Sequence, residues 1–444
     1  MIKNIFSKKK FFFSLHHYLL YKIGILFKVI ILIPNPDSIG NAAEEIYFGV
    51  LKARKEKKKL AIIFTKKIPF LNYLNFYDKN FFSLESKYFL FRHNSFIQNF
   101  CGYLFSLYFL FSKLVHGILT KFFSFEKSGF YWRPMAGSDI LWRPSYKTLD
   151  FKLIKFKNLN WNKQFCEHLD INILKKSNVK CENILRKLGL KQKKFVCIHV
   201  REGGYKNDFT SNLLNLDIMN FVSSIKEICK RDILVFRLGD PSMTKLPKIK
   251  NLIDYPFSDF RSAEMDNYLI KNCIFFICGP SGPLDAARRI HRTRVLLHNS
   301  GNFWNLPFNR GDICLIRPLY SKSRKKYLSI KEMLEMLLNY KRTTHPWNIQ
   351  DDIIMKENNE NEILAAVKEM LNYNFLPETK LQKEYKRLCT KINNNFVKNF
   401  SFQINKLENV NDQYRFATGR YWEGKISEEF LRKNWKKNSR NILK

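Results

Sequence analysis

Nothing in this chain reads as a redox scaffold, a zinc module or a membrane span. No two of its nine cysteines form a CxxC pair. They are scattered at residues 101, 166, 181, 197, 229, 273, 278, 314 and 389, several of them inside apolar runs. That scatter argues against a disulfide framework and a structural zinc site, and it fits reduced, buried thiols. Acidic residues are scarce, with 39 Asp and Glu against 77 Lys and Arg. Uninterrupted apolar stretches fall short of the roughly 20 residues that a spanning helix needs. The most apolar segment, 99–123, is broken by Lys113; it reads either as an amphipathic helix lying in a membrane surface or as buried core. The first 33 residues carry a basic patch at 7–10, but His16, His17, Lys22 and Lys28 interrupt the apolar part. With no small-residue cleavage site, a secretory signal is not expected. No repeat of fixed period occurs. No C2H2 spacing, RNP-like aromatic run or heptad-linked basic region points to nucleic acid, so no nucleic-acid partner is expected.

What is present is length, apolar content and positive charge. A chain of 444 residues, 45% apolar, is long for one core and predicts two domains with an extension. The net charge of +38 attracts phosphates of some kind, on a ligand or on an anionic lipid surface. Basic runs lie at 52–59, 322–326 and 431–444, each either a solvated lysine face or a phosphate-facing one.

The order of elements predicts an α/β fold. "KVIILIP" (28–34) reads as a strand, "NPDSIGN" (35–41) as a loop, "AAEEIYFGVLKARKEKKK" as a helix and "LAIIF" (60–64) as a second strand, which is a βαβ signature. A cleaner alternation follows: a helix over 178–190 stopped by Gly189, then strands at 194–200, 233–240, 273–279 and 293–299 separated by helices. Residues 360–375 and 380–396 look helical. The expected organisation is an N-terminal basic segment (1–27) and a first parallel-sheet domain (28–180) containing the 99–123 insertion. A second such domain (190–345) and a helical extension with a basic tail (346–444) complete it.

Ligands in open parallel sheets bind outside the carboxyl ends of the strands, so the strand exits carry the candidate chemistry. The first exit is "HVREGGY". His199 and Arg201 share strand parity, Arg201 offers a planar fork for phosphate oxygens, and Gly203 and Gly204 admit a close approach. The alternative is an Arg201–Asp208 pair beside a structural histidine. Tyr205 suggests a stack on a base or sugar. The second exit, "VFRLGDPSM", presents Arg237, Gly239 and Asp240, with Asp240 either holding a hydroxyl or starting a turn before Pro241. The third, "FFICGPSGPLDAARRI", leads through Gly279 into a helix with Ser281 as N-cap, Gly282, and Pro283 in the first turn. A free helix N-terminus there suits a phosphate.

These three exits together resemble the donor-binding domain of O-fucosyltransferase-like glycosyltransferases. More narrowly, "HVREGGY", "NLDIMNFVSSI", "VFRLGDPSM" and "IDYPFSDFRSAEMDNYLIKNCIFFICGPSG" resemble a bacterial glycosyltransferase family linked to surface polysaccharides. "SGP" followed by a helix is similar to heptosyltransferases, and "IGN" (39–41) is similar to the turn that opens fucosyltransferase sequences. The resemblance covers roughly residues 195–285. It implies a GT-B-like fold, two Rossmann-like parallel-sheet domains facing across a cleft. It also implies transfer of a sugar from a nucleotide-diphosphate donor, GDP-linked in fucosyltransferases, to a glycan or lipid-linked acceptor. By the same resemblance, Arg201 contacts the donor diphosphate, His199 supports it, and Ser281 and Gly282 form the phosphate turn. Where fucosyltransferases place a second basic residue and an acid after the HxR, this chain has Glu202, Gly203, Gly204 and Tyr205. With no DxD-type pair in a suitable loop, neither a metal nor another cofactor is expected, and charge on the leaving diphosphate falls to Arg201 and helix ends. Asp37 and Glu44, flanking Gly40, are candidate bases for the acceptor hydroxyl, and Glu202 is another; for Glu44 and Glu45 a solvated helix face is the commoner expectation. Two rivals stand beside this reading: a nucleotide-sugar epimerase on the same scaffold, and a non-catalytic basic scaffold at a membrane. The charge and the 99–123 segment together predict a cytoplasmic protein docked at the inner face of the plasma membrane.

Overall fold

The computed structural model describes residues 23–24, 26–34, 38–66, 77–107, 167–190, 193–204, 215–300, 307–329, 332–333, 352–372, 377–390 and 422–435. Asp37, Tyr205, Asp208, the stretch 108–166 and the end of the basic tail lie outside these residues. The chain divides into two compact units, Met1–Leu149 with His168–Lys180, and Asp150–Glu167 with Cys181–Lys444. No helix among the described residues is long and apolar enough to cross a membrane.

The first unit contains the expected βαβ. Strands β1 (Val29–Leu32) and β2 (Lys59–Ile62) pair in parallel, with Val29 opposite Lys59. Helix α1 (Ile39–Glu56) joins them. Ser38 caps it by accepting from the Asn41 amide at 3.4 Å, so the helix begins within the stretch read as a loop. At its other end Lys57 turns left-handed and its N–H returns to Ala53 and Arg54. The solvated-face expectation for Glu44 and Glu45 is overturned: they are 6% and 0% exposed. The helix is buried nearly all round from Gly40 to Val50, so these carboxylates fall among Ala42, Ile46 and Tyr47 instead of on a wet stripe. The short antiparallel pair β3 (Leu84–Glu85) and β4 (Asn172–Ile173) brings distant segments together. Between them in sequence runs helix α2 (residues 96–107). Its Cys101 and Phe105 pack on Ile31, Ile33 and Ile63. Helix α3 (Lys175–Lys187) follows β4, passes from the first unit into the second after Lys180, and is stopped at Gly189, which has φ +68°.

The second unit is built on one seven-stranded parallel sheet. Its strands are β5 (Phe195–His199), β6 (Leu234–Arg237), β7 (Leu252–Ile253), β8 (Phe276–Cys278), β9 (Val295–Ser300), β10 (Ile313–Ile316) and, after three further strands, β14 (Lys425–Ile426). The order across the sheet is β14-β10-β9-β8-β5-β6-β7. Each neighbouring pair is parallel. Val196, Cys197, Ile198, Val235, Phe236, Phe276, Ile277 and Leu296 are completely buried. That burial on both faces is why these strands read as continuous apolar runs with little alternation. Helices α4 (Val222–Cys229), α5 (Ala263–Asn272), α6 (Gly282–Asp285, continuing as a π turn over Ala286–His291) and α7 (Glu360–Leu371) connect and cover the sheet. Counted from β5, the strands run out to β7 on one side and restart at β8 on the other. This is the doubly wound order, and β5 and β8 flank its switch point.

Three features lay outside the sequence reading. Strands β11 (Leu319–Ser321), β12 (Lys326–Tyr327) and β13 (Ile353–Met355) form a small antiparallel sheet. The basic run 322–326 supplies the β11–β12 turn and the first residue of β12; Arg324 and Lys326 pair there with Glu332 at 2.7 and 3.0 Å. Residues 346–444 are more than a helical extension. Besides α7, helix α8 (residues 380–390) and helix α9 (Glu428–Asn434), they contribute β13 and the edge strand β14. A two-residue strand inside "WEGKISEE" leaves no periodic signal, because its pairing with β10 is decided by distant residues.

Candidate functional site

In the second unit, the ends of β5 and β8 meet at the switch point. His199 is the last residue of β5, opposite Cys278 of β8. Three residues beyond Cys278, Ser281 turns its hydroxyl back, so that Oγ lies 3.3 Å from His199 Nδ1 and 3.0 Å from Cys278 Sγ. Ser281 holds the N-cap position of α6 but makes no capping bond. The capping role expected of its side chain is therefore replaced by a bridge between two strand exits. Pro283 sits in the first helical turn, as expected. Burial, then the nearby Arg237, pushes the His199 imidazole down to about 4, so it is neutral at pH 7. Burial pushes the Cys278 thiol up to about 12, which removes it as a nucleophile.

Arg201 and the two glycines follow directly, all half-buried. The Arg201 carbonyl accepts from the Leu216 amide at 2.9 Å, which pins the start of the loop. Gly204 is pressed on the β6 exit. A Cβ there would meet Ser242 Oγ at 2.4 Å, so its smallness serves loop-to-loop packing. Gly279 is likewise closed by protein, since an added Cβ would lie 2.9 Å from His298 Cε1. Gly239 has φ +151° and is covered by Met243. At these three glycines the space beside the backbone is taken by a side chain of the chain itself, and of them Gly204 is the one where a close approach by a ligand was expected. Gly203 and Gly282 are half-buried.

The second exit is organised from inside. Arg237 is fully buried, donating to Glu202 Oε1 at 2.7 Å and to Asp254 Oδ1 at 3.1 Å. Each carboxylate spends its other oxygen on a loop amide: Glu202 on Thr244 at 2.7 Å, Asp254 on Leu246 at 3.0 Å. One guanidinium thus ties the β5 loop, the β6 loop and the end of β7 together. Glu202 is a strut of this network. Asp240 makes the turn foreseen as one alternative, accepting from the Ser242 amide at 2.9 Å and from its hydroxyl.

The sequence reading did not include the neighbouring exits of β9 and β10. His298 is buried beside Phe221, with ring centroids 4.7 Å apart. Burial, then His199, pushes its imidazole down to about 3. Asn299, at φ +50°, exchanges hydrogen bonds with Asn358: the Asn299 amide donates to Asn358 Oδ1 at 2.7 Å and the Asn358 amide to Asn299 Oδ1 at 2.8 Å. Arg317 follows β10, 5% exposed, its Nε donating to the Lys356 carbonyl at 3.3 Å. The signal was the same strand-exit pattern, "VLLHNS" and "ICLIRP". It lacked the glycines that drew attention to the other three. Glu44 belongs to the first unit, buried in α1. No group of three or more His, Cys, Asp or Glu among the described residues is placed to hold a metal ion.

The arrangement is a polar rim of neutral imidazoles, a hydroxyl and a guanidinium at the carboxyl end of a doubly wound sheet, with its loops fixed by buried ion pairs. No protein-family model matches the chain, and no curated protein matches it. Among solved structures the chain is similar to the glycosyl transferase family 9 protein of Veillonella parvula. Identity is 12% and TM-score 0.40, and the match covers 77% of this chain and 97% of that one.

Proposed function

We propose that this protein is a glycosyltransferase of GT-B type that binds a nucleotide-diphosphate sugar at the carboxyl end of its seven-stranded sheet. The acceptor is a glycan or a lipid-linked sugar of surface-polysaccharide synthesis. The observation that carries the reading is the His199–Ser281 contact across the switch point, where open α/β sheets take nucleotides. Two strand exits that are 82 residues apart in sequence are joined there by their polar side chains. The sequence resemblance assigns the same two exits to the donor.

In this reading Arg201 neutralises charge developing on the departing diphosphate. Neutral His199 and the Ser281 hydroxyl orient it. Arg237 does not touch the donor; through Glu202 it holds the loop that carries Arg201. Neither a metal nor another cofactor is required, because a fixed guanidinium and backbone N–H groups supply the positive field. Asp37 is the carboxylate proposed to take the acceptor's proton; Glu44, buried within α1, is not retained for that role. Tyr205 would stack on the base or sugar.

The test is a thermal-shift series with GDP, UDP, CMP and ADP on wild type and Arg201→Ala. One nucleoside diphosphate should raise the midpoint of the wild type, by an amount corresponding to about 2.7 kcal/mol at a hundredfold excess over Kd. Arg201→Ala should melt like the wild type without ligand and lose most of that shift. No shift with any nucleotide would overturn the donor site. Undiminished sugar transfer by the variant would overturn the role of Arg201.

A further inference from the structure

Helix α2 of the first unit is turned inside out. Its small and polar residues face the protein. Gln98 is buried and donates to the Ile62 carbonyl at 3.0 Å. Gly102 lies so close that a Cβ would meet the Phe64 carbonyl oxygen at 2.3 Å. Ser106 accepts from the Lys66 amide at 2.8 Å and donates to the Gly102 carbonyl at 2.9 Å. Phe105 and Cys101 pack inward on Ile31, Ile33 and Ile63, and the remaining large apolar residues face outward. Phe96 is 83% exposed, and Ile97, Phe100, Tyr103, Leu104 and Leu107 are each about half exposed. Their spacing of three and four residues keeps them on one side of the helix. Phe96 and Phe100 stack on one another with centroids 6.3 Å apart.

Hydrophobic burial alone would rotate this helix the other way. The polar face is fixed inward by the hydrogen bonds to Ile62 and Lys66, so the apolar face is held outward by design of the fold. Basic groups flank it. Arg92 is exposed just before the helix. The Lys66 ammonium lies 5.8 Å from the Tyr103 ring centroid. Lys79 donates to Asn99 of the helix at 3.0 Å and sits against Lys66, two like charges side by side. Burial, then Lys66, holds the Lys79 ammonium down at about 8. An anion placed between them would relieve that repulsion.

We propose that the outer face of α2, with Lys66, Lys79 and Arg92 at its edge, is a docking surface for an anionic lipid bilayer. The helix lies in the interface plane, its phenylalanines and leucines among the acyl chains and its lysines at the headgroup phosphates. A greasy stripe edged by cations fits this partner, and the net charge of +38 favours it over a neutral apolar one. The inference stands apart from the transferase reading, since neither nucleotide nor acceptor enters it.

Flotation of the full-length protein with vesicles tests it, using phosphatidylcholine alone and phosphatidylcholine with phosphatidylglycerol. Wild type should float with the anionic vesicles, less so as salt is raised, and weakly with neutral ones. The triple change Phe96→Ser, Phe100→Ser, Leu104→Ser should lower anionic-vesicle affinity more than about tenfold while keeping a cooperative melting transition, because Phe96 is 83% exposed and the other two are about half exposed. The double change Lys66→Gln, Lys79→Gln should lower it about fivefold per lysine and flatten the salt dependence. Wild-type protein that stays at the bottom of the gradient overturns the proposal. So does equal flotation with both vesicle types, or a triple variant that floats like wild type. Light scattering supplies the remaining outcome: a wild-type dimer that the triple variant breaks would assign the face to a second copy of the chain and overturn the lipid assignment.

Discussion

Arg237 shows how far a single residue's role depends on which way it points. By sequence it is a basic group leaving a buried strand, a candidate for the donor site beside Arg201. In the fold one guanidinium is enclosed with Glu202 and Asp254 and the other is half-buried on the loop beyond. Parity along a strand says which residues share a side; it does not say which side is covered. The same holds for Glu44 and Glu45, whose helix is covered on faces that its sequence gave no reason to expect. Breaking a buried pair leaves charge without compensation, so Arg237→Met should strand two carboxylates and cost about 3 kcal/mol or more. Urea unfolding measures that loss. If the stability of Arg237→Met matched wild type, the network would have no part in holding the rim.

At the scale of elements, the long strands and helices were legible because their signals are local: continuous apolar runs for β5, β6, β8 and β9, a stop at Gly189, a Pro in the first turn of α6. Short elements such as β7, β12 and β14 carry two residues each and no period of their own. The helix that directly follows β14 is held by a contact that no sequence rule names. Glu369 on α7 accepts from Ser427 Oγ at 2.7 Å and from the amides of Glu428 and Glu429 at 3.2 and 3.1 Å. It thereby adds a cap to α9 from another helix, alongside Ser427, whose Oγ accepts from the Phe430 amide at 3.4 Å. Glu369→Ala should leave those N–H groups without their acceptor and destabilise the segment by about 1–3 kcal/mol. Hydrogen exchange should then quicken in Lys425–Asn434 while β5 and β6 stay protected. Uniformly faster exchange across the sheet would mean that the segment does not open separately.

At the scale of the molecule, three histidines among the described residues contribute to the response to acid. Burial is the leading cause for each, and it pushes His199 to about 4 and His291 and His298 to about 3, against an ordinary 6.5. Below 6.5 the unfolded chain takes up protons that these folded sites refuse, so stability falls as pH drops through that value toward each folded one. Asp312 works in the opposite sense. Burial raises its carboxyl to about 7 from 3.8, so its contribution grows as pH falls through that window. His291→Asn isolates one histidine. His291 Nε2 lies 2.6 Å from the Asn267 side-chain oxygen, a partner an amide could keep. The drop in urea midpoint between pH 7 and about pH 5 should be smaller in the variant than in wild type. An equal drop would remove His291 from the acid response.

The sequence by itself determined the α/β class, the positions of the main strands and the three glycine-bearing exits, because each follows from apolar runs and backbone rules within a few residues. It also marked 99–123 as either surface helix or core. Only the tertiary structure decided the order β14-β10-β9-β8-β5-β6-β7, and with it that the exits of β5 and β8 are the two that meet. Strand order, the inward turn of Arg237, the bridge from Ser281 to His199 and the outward face of α2 all rest on pairings between residues far apart in the chain. Local propensity carries no information about which distant partner will be there.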